Sequence, residues 1–167
     1  FPALIPQPPI SVTGNQTVSG LIEQISKEVG YVLENNEVTA SIRDCIINGD
    51  PVTKMRRIAD AVGANLLFDD EKVVLMPKKG SRKTQGELPL INSSNGMIGY
   101  PTFSNNGINV SCFFRPELRI GANFKLESIV PHASGTWKIV ALKHELSAND
   151  PAGGSWKTSI SGIYPRW

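Results

Sequence analysis

The spacing of apolar residues changes character once along this chain, and that change limits the fold more than any single motif. Before Gly63, two stretches carry apolar side chains at helical spacing. From Gly96 onward that period is absent, and short alternating runs separated by Gly, Pro and Asn take its place. Helices packed on strands should therefore come first and an all-β region second, an α+β chain.

Alternation at Ile10-Ser11-Val12-Thr13-Gly14 predicts a short first strand. Val18, Leu21, Ile22, Ile25 and Val29 then predict an amphipathic helix, with Thr17 placed to accept from its free amides and Gly30 beyond its end. Asp50-Pro51 announces a second helix, because proline at the first helical position gives up no hydrogen bond. Val52, Met55, Ile58, Ala59 and Val62 share one face of it, and Gly63 ends it. Two hairpins are expected: Tyr31 to Leu33 with Val38 to Ile42, and Asn65 to Phe68 with Val73 to Leu75. Gly30 and Gly63 stand about 33 residues apart, the ankyrin period, but two copies that each end in strands do not make a stacked solenoid.

The boundaries that follow are a proline-rich linker at 1–9, a mixed β-α-β-β-α-β-β domain at 10–77 with both helices on one face of a small sheet, a second linker at 78–95, and a small β-barrel domain at 96–167. Within the last, strands are expected at 98–103, 108–114, 123–128, 136–142 and 155–163. Five strands of that length suit a barrel, which closes on itself and leaves no free edge. In the final strand Trp156, Thr158, Ile160 and Gly162 should face one way, and Lys157, Ser159 and Ser161 the other.

Charge and cysteine usage narrow the function. Seventeen basic and fifteen acidic side chains leave a net charge of +2, which exerts no general pull on nucleic acid or anionic lipid. Lys78, Lys79, Arg82 and Lys83 cluster, but without interleaved aromatic residues or a helix to present them, and read as a solvated connection. No apolar run reaches the roughly 20 residues of a spanning helix, and FPALIPQPP holds too many prolines for a signal-peptide core. The chain is expected to be soluble and cut from something longer. Cys45 and Cys112 have no metal-ligand spacing and read as free thiols of a reducing compartment.

The residues with catalytic potential do not form a constellation. Lys143 and Glu145 flank His144 in sequence, yet strand neighbours point to opposite faces. His144 is read as a strand-end histidine bonded to a nearby loop, and His132 as a turn residue. Cys112 lies in an apolar alternating strand, where burial keeps a thiol protonated and inert, so a Cys112–His144 pair is not expected to act as nucleophile and base. Asp44, Asp50, Asp69, Asp70 and Asp150 sit beside turns or helix starts, where carboxylates cap amides. The Ser, zinc, P-loop and dinucleotide motifs of common enzymes are absent from the sequence. No catalytic residue, metal ligand or cofactor-binding residue is assigned, and a carboxylate pair assembled only by folding is the remaining route to an enzyme such as a cell-wall hydrolase.

One ordered run of short motifs carries a resemblance: Gly99-Tyr100-Pro101-Thr102-Phe103, Gly107-Ile108-Asn109-Val110, Phe114-Arg115-Pro116-Glu117-Leu118 with Gly121, Trp137-Lys138-Ile139, Lys143-His144-Glu145-Leu146, and Gly154-Ser155-Trp156-Lys157-Thr158. Together these resemble the hub protein of contractile-tailed phages, and Gly49-Asp50-Pro51 is similar to the start of the second helix in the small domain before the hub barrel. The resemblance implies a non-enzymatic ring, usually a trimer, between tail tube and central spike, located in the virion and assembled in the host cytoplasm. Its partners would be other hub copies, the tube protein and the spike protein, with no small-molecule substrate, membrane or specific nucleic acid. Hubs of this kind have two barrels per subunit, whereas this chain offers one. The aromatic candidates for such surfaces are Tyr100, Phe103, Phe113, Phe114, Trp137, Trp156, Tyr164 and Trp167, and those expected at interfaces are Tyr100, Phe103, Phe114, Trp137, Trp156 and Trp167. The competing reading compares the first domain with ring-building domains of periplasmic secretins or receptor-signalling assemblies; the β-rich half does not fit it.

Overall fold

The computed structural model describes residue 5 and residues 7–84, 86–149 and 153–165. Two compact units make up the chain, Phe1–Gly80 and Ser81–Trp167.

The first unit holds β1 (Gln7–Thr17), α1 (Val18–Glu28), β2 (Val32–Asn35), β3 (Ser41–Gly49), α2 (Pro51–Ala61), β4 (Ala64–Asp69) and β5 (Lys72–Pro77), the expected element order. Thr17 caps α1 by accepting from the Gly20 amide, and Asp50 caps α2 by accepting from the Thr53 amide at 2.9 Å and hydroxyl at 2.6 Å. Those two bonds hold the Asp50 carboxyl below the usual range for an aspartate. Gly30 and Gly63 follow the helices at φ 81° and 65°, the left-handed turn that glycine adopts freely. The apolar stripes of both helices, including Val18, Ile22, Ile25, Met55 and Ile58, enter one core with Val73 and Leu75 of β5. Ser26 ties the helices together, donating to Ile22 O and lying 3.4 Å from Met55 Sδ.

Three expectations need correction here. The first proposed hairpin does not form: β2 pairs in parallel with β5, and β3 pairs antiparallel with β1. Glu37 takes a left-handed φ of 64° and Asn35 bridges both backbone groups of Val38, so the chain leaves the β2 sheet before β3 begins. The unit therefore has two sheets, β1-β3 and β2-β5-β4, rather than one. Nor is the first linker wholly a linker, since β1 starts at Gln7. A buried lysine fixes that start: Lys54 of α2, 1% exposed, donates its ammonium to Pro8 O at 2.6 Å.

The second unit contains β6 (Leu90–Ile91), β7 (Met97–Ser104), β8 (Gly107–Phe113), β9 (Asn123–Leu126), β10 (Gly135–Leu146) and β11 (Trp156–Ile163) in one sheet of order β6-β9-β10-β11-β8-β7. Ile108, Val110, Cys112, Phe124, Leu126, Trp137, Ile139 and Ile160 fill its concave side. The sheet is a half-barrel rather than a closed barrel. Its end strands meet only through the turn 92–97, where Met97 N donates to Asn92 O, and β6 and β7 form no ladder with each other among the described residues. Residues 81–95, expected as linker, contribute β6 and an isolated bridge from Arg82 to Ala122. The free edge of β7 is guarded by a register break between Ile98 and Thr102 that contains buried Pro101, which has no amide hydrogen to offer another strand.

Candidate assembly surface

Strand phase decides which side chains of the second unit reach solvent. On β8, Ile108, Val110 and Cys112 point inward, which turns Asn109, Ser111 and Phe113 outward. On β11, Thr158, Ile160 and Gly162 point inward as the alternation predicts. The outer face is accordingly small and polar at its centre. Ser111 lies opposite Ser159, and Asn109 opposite Ser161, whose hydroxyl donates to Asn109 Oδ1 at 2.8 Å. A shallow groove of about 510 Å³ crosses it, lined by Tyr100, Thr102, Asn109, Ser111, Lys143 and Ser159 among others, with no carboxylate in its wall.

Exposed apolar and aromatic groups lie on the strands and loops of the same unit. Tyr100 is 68% exposed and Phe103 53%, both on β7, and Phe113 at the end of β8 is 64% exposed. A second recess of about 350 Å³ brings Tyr100 and Met97 together with Ile129, which is 84% exposed. Trp156 starts β11 half exposed, its indole N–H donating to Ser147 O at 2.8 Å. Phe114, half-buried, meets Trp156 edge to face at 5.9 Å and His144 at 5.1 Å. Beyond them Glu145 accepts from Lys143 at 2.6 Å and Lys157 at 2.7 Å, and these bonds hold its carboxyl down at about 2.

Of the aromatic residues expected at interfaces, Tyr100, Phe103 and Trp156 are on the surface and Phe114 is half covered. Trp137 is not: it is 4% exposed, its indole donates to Ala133 O at 2.8 Å, and it belongs to the core. Trp167 lies outside the described residues. Phe113, also an aromatic candidate, is turned out by inward Ile108, Val110 and Cys112. Ile129 was missed, because it stands in a loop, where no period exists to read.

The histidine and thiol reading can be tested by register. Cys112, Thr158 and His144 lie side by side across β8, β11 and β10. Two strand spacings, roughly 10 Å, therefore separate Cys112 from His144. His144 Nδ1 instead shares a 2.9 Å hydrogen bond with the hydroxyl of Thr158 in the neighbouring strand, not with a loop. Burial pushes the Cys112 thiol up, away from the reactive thiolate. Among the described residues no group of three or more His, Cys, Asp or Glu is placed to hold a metal, and no helix is long and apolar enough to cross a membrane.

Comparison with known proteins gives the same fold and a family. The family model described as "Baseplate hub gp41" matches residues 10–152. Solved structures of similar fold include two tail proteins. The tail protein from Neisseria meningitidis MC58 has a TM-score of 0.66 at 11% identity, over 98% of this chain and 71% of that one. The 43 kDa tail protein of prophage MuSo2 from Shewanella oneidensis has a TM-score of 0.62 at 14% identity, over 93% of this chain and 66% of that one. No curated protein matches the sequence.

Proposed function

The chain belongs to the baseplate hub gp41 family, and from that premise we propose that it is a ring-forming subunit joining the tail tube to the central spike. Family membership makes it a structural component of a phage tail baseplate. The finer reading covers the ring, its partners and its assembly in the host cytoplasm. One observation carries it: the exposed aromatic and apolar side chains of Tyr100, Phe113 and Ile129 beside a polar sheet face. Side chains of this type, exposed together, are the usual anchors of protein–protein contacts. On this unit His144 bonds a threonine and Glu145 is paired with two lysines, so neither is set up as a catalytic group. The match extends over both units, which the secretin-like reading of the first domain does not accommodate.

Quantitative mass spectrometry of purified tailed particles tests this reading. Peptides of the chain should be present at a few copies per particle, level with the spike protein. Their absence from particles, with the protein recovered in the envelope or free, would overturn it.

A further inference from the structure

The two-stranded sheet of the first unit leaves the outer edge of β3 without a partner strand among the described residues. Beside it lies a groove of about 380 Å³ lined by residues of β3 and by Arg57, Ile58 and Ala61 of α2. Successive strand residues point to opposite faces. A groove that touches Cys45, Ile46 and Ile47 in turn must therefore run along the edge of the strand, between β3 and α2, rather than over one face. Its wall is chiefly apolar, with Ile46 71% exposed, and its charged residues are two cations, Arg43 and Arg57.

The outer edges of β1 and β7 are guarded. β1 opens with Pro8 and Pro9, and β7 carries its register break and Pro101. β3 has no proline; its irregularity is Asp44, at φ 42°, after which 45–47 continue in regular ladder with β1, and the Asn48 carbonyl beyond them accepts from Arg57 at 3.0 Å. An open, apolar strand edge is a template for another chain.

We propose that this edge receives β2 of a second copy of the chain. β2 is the outer strand of its own sheet and four residues long, Val32–Asn35, enough to span the regular stretch 45–47. Val32 is 63% exposed and can pack beside Ile46. Glu34 supplies the charge opposite to Arg43 and Arg57; its carboxylate accepts from Asn36 Nδ2, and a carboxylate has lone pairs for a guanidinium in addition. Donor and acceptor edges are different surfaces of one unit, so the contact is heterologous. Each copy offers one of each, and repetition closes a ring when the rotation permits. The proposal rests on the hub reading and specifies how its copies join.

Val32→Cys and Asn35→Cys variants of the full chain, assembled into particles and mildly oxidised, test it. Opposed residues of paired strands lie about 5 Å apart, within the Cα range of a disulfide. Parallel addition brings position 32 of one copy to Cys45 of the next, and antiparallel addition brings position 35 there. One of the two variants should give a reducible intermolecular disulfide to Cys45, lost when Cys45→Ser is added. Particles that contain both variants but yield no disulfide to Cys45 would overturn this joint and leave the hub reading standing. Particles that lack the unsubstituted chain would overturn both.

Discussion

Gly107 and Gly162 pass so closely that a side-chain carbon on Gly107 would overlap the Gly162 carbonyl oxygen. The contact is backbone to backbone, so no rotamer change relieves it. Gly107→Ala should therefore force β8 away from β11 and cost at least about 2 kcal/mol, at the upper end of overpacking penalties. Calorimetry of the purified chain should show a lower unfolding temperature for the second unit.

Tyr100 and Phe103 on one side, and Trp137 on the other, should separate assembly from stability. Tyr100→Ala and Phe103→Ala remove exposed rings and should change folding stability by less than about 0.5 kcal/mol while weakening assembly by more than about 1 kcal/mol. Trp137→Ala empties a core position and should cost about 3–5 kcal/mol of stability. Unfolding curves and particle yield, measured in parallel, distinguish the two patterns.

Glu145 ties stability to acid. Its carboxyl sits at about 2 in the folded chain, below its ordinary value of 4.5, because Lys143 and Lys157 bond its charged form. A carboxylate with a depressed folded value stabilises the fold above its unfolded value and loses that contribution as pH falls. The loss should span roughly pH 4.5 to 2, shrink in high salt because the cluster is solvated, and vanish in Glu145→Gln. NMR titration of the Glu145 side chain, with unfolding measured at each pH, checks the sign.

The two thiols should differ in reactivity. Cys45 is half-buried on a groove wall, whereas Cys112 is sealed in the core and its thiol is held up by desolvation. In the isolated native chain a maleimide reagent should label Cys45 and reach Cys112 only on unfolding. Mass spectrometry of digested samples reads both sites.

Helices were the most legible part of this fold, because Thr17, Asp50-Pro51 and the glycines after each helix state the ends locally. Pairing was less so. The apolar run Tyr31 to Leu33 announces a strand but not that its neighbour is β5, reached only after β3, α2 and β4 have intervened. Adjacent strands usually pair, and the hairpin expectation followed that tendency. On the candidate surface, phase was readable on β8 and β11, where alternation is regular, and lost on β7, where the break around Pro101 resets it. Trp137 shows the same limit, since an indole suits an interface or a core equally well until its neighbours are known.

Lys54 has a mechanical consequence. Its ammonium holds the Pro8 carbonyl to α2, so the first strand is anchored both by its ladder to β3 and by one charged crosslink to a helix. Tension arriving along the chain at Pro8 is divided between these two attachments instead of peeling β1 from its end. Pulling the chain at Pro8 must therefore break the Lys54 bond as well as the ladder before β1 can peel away.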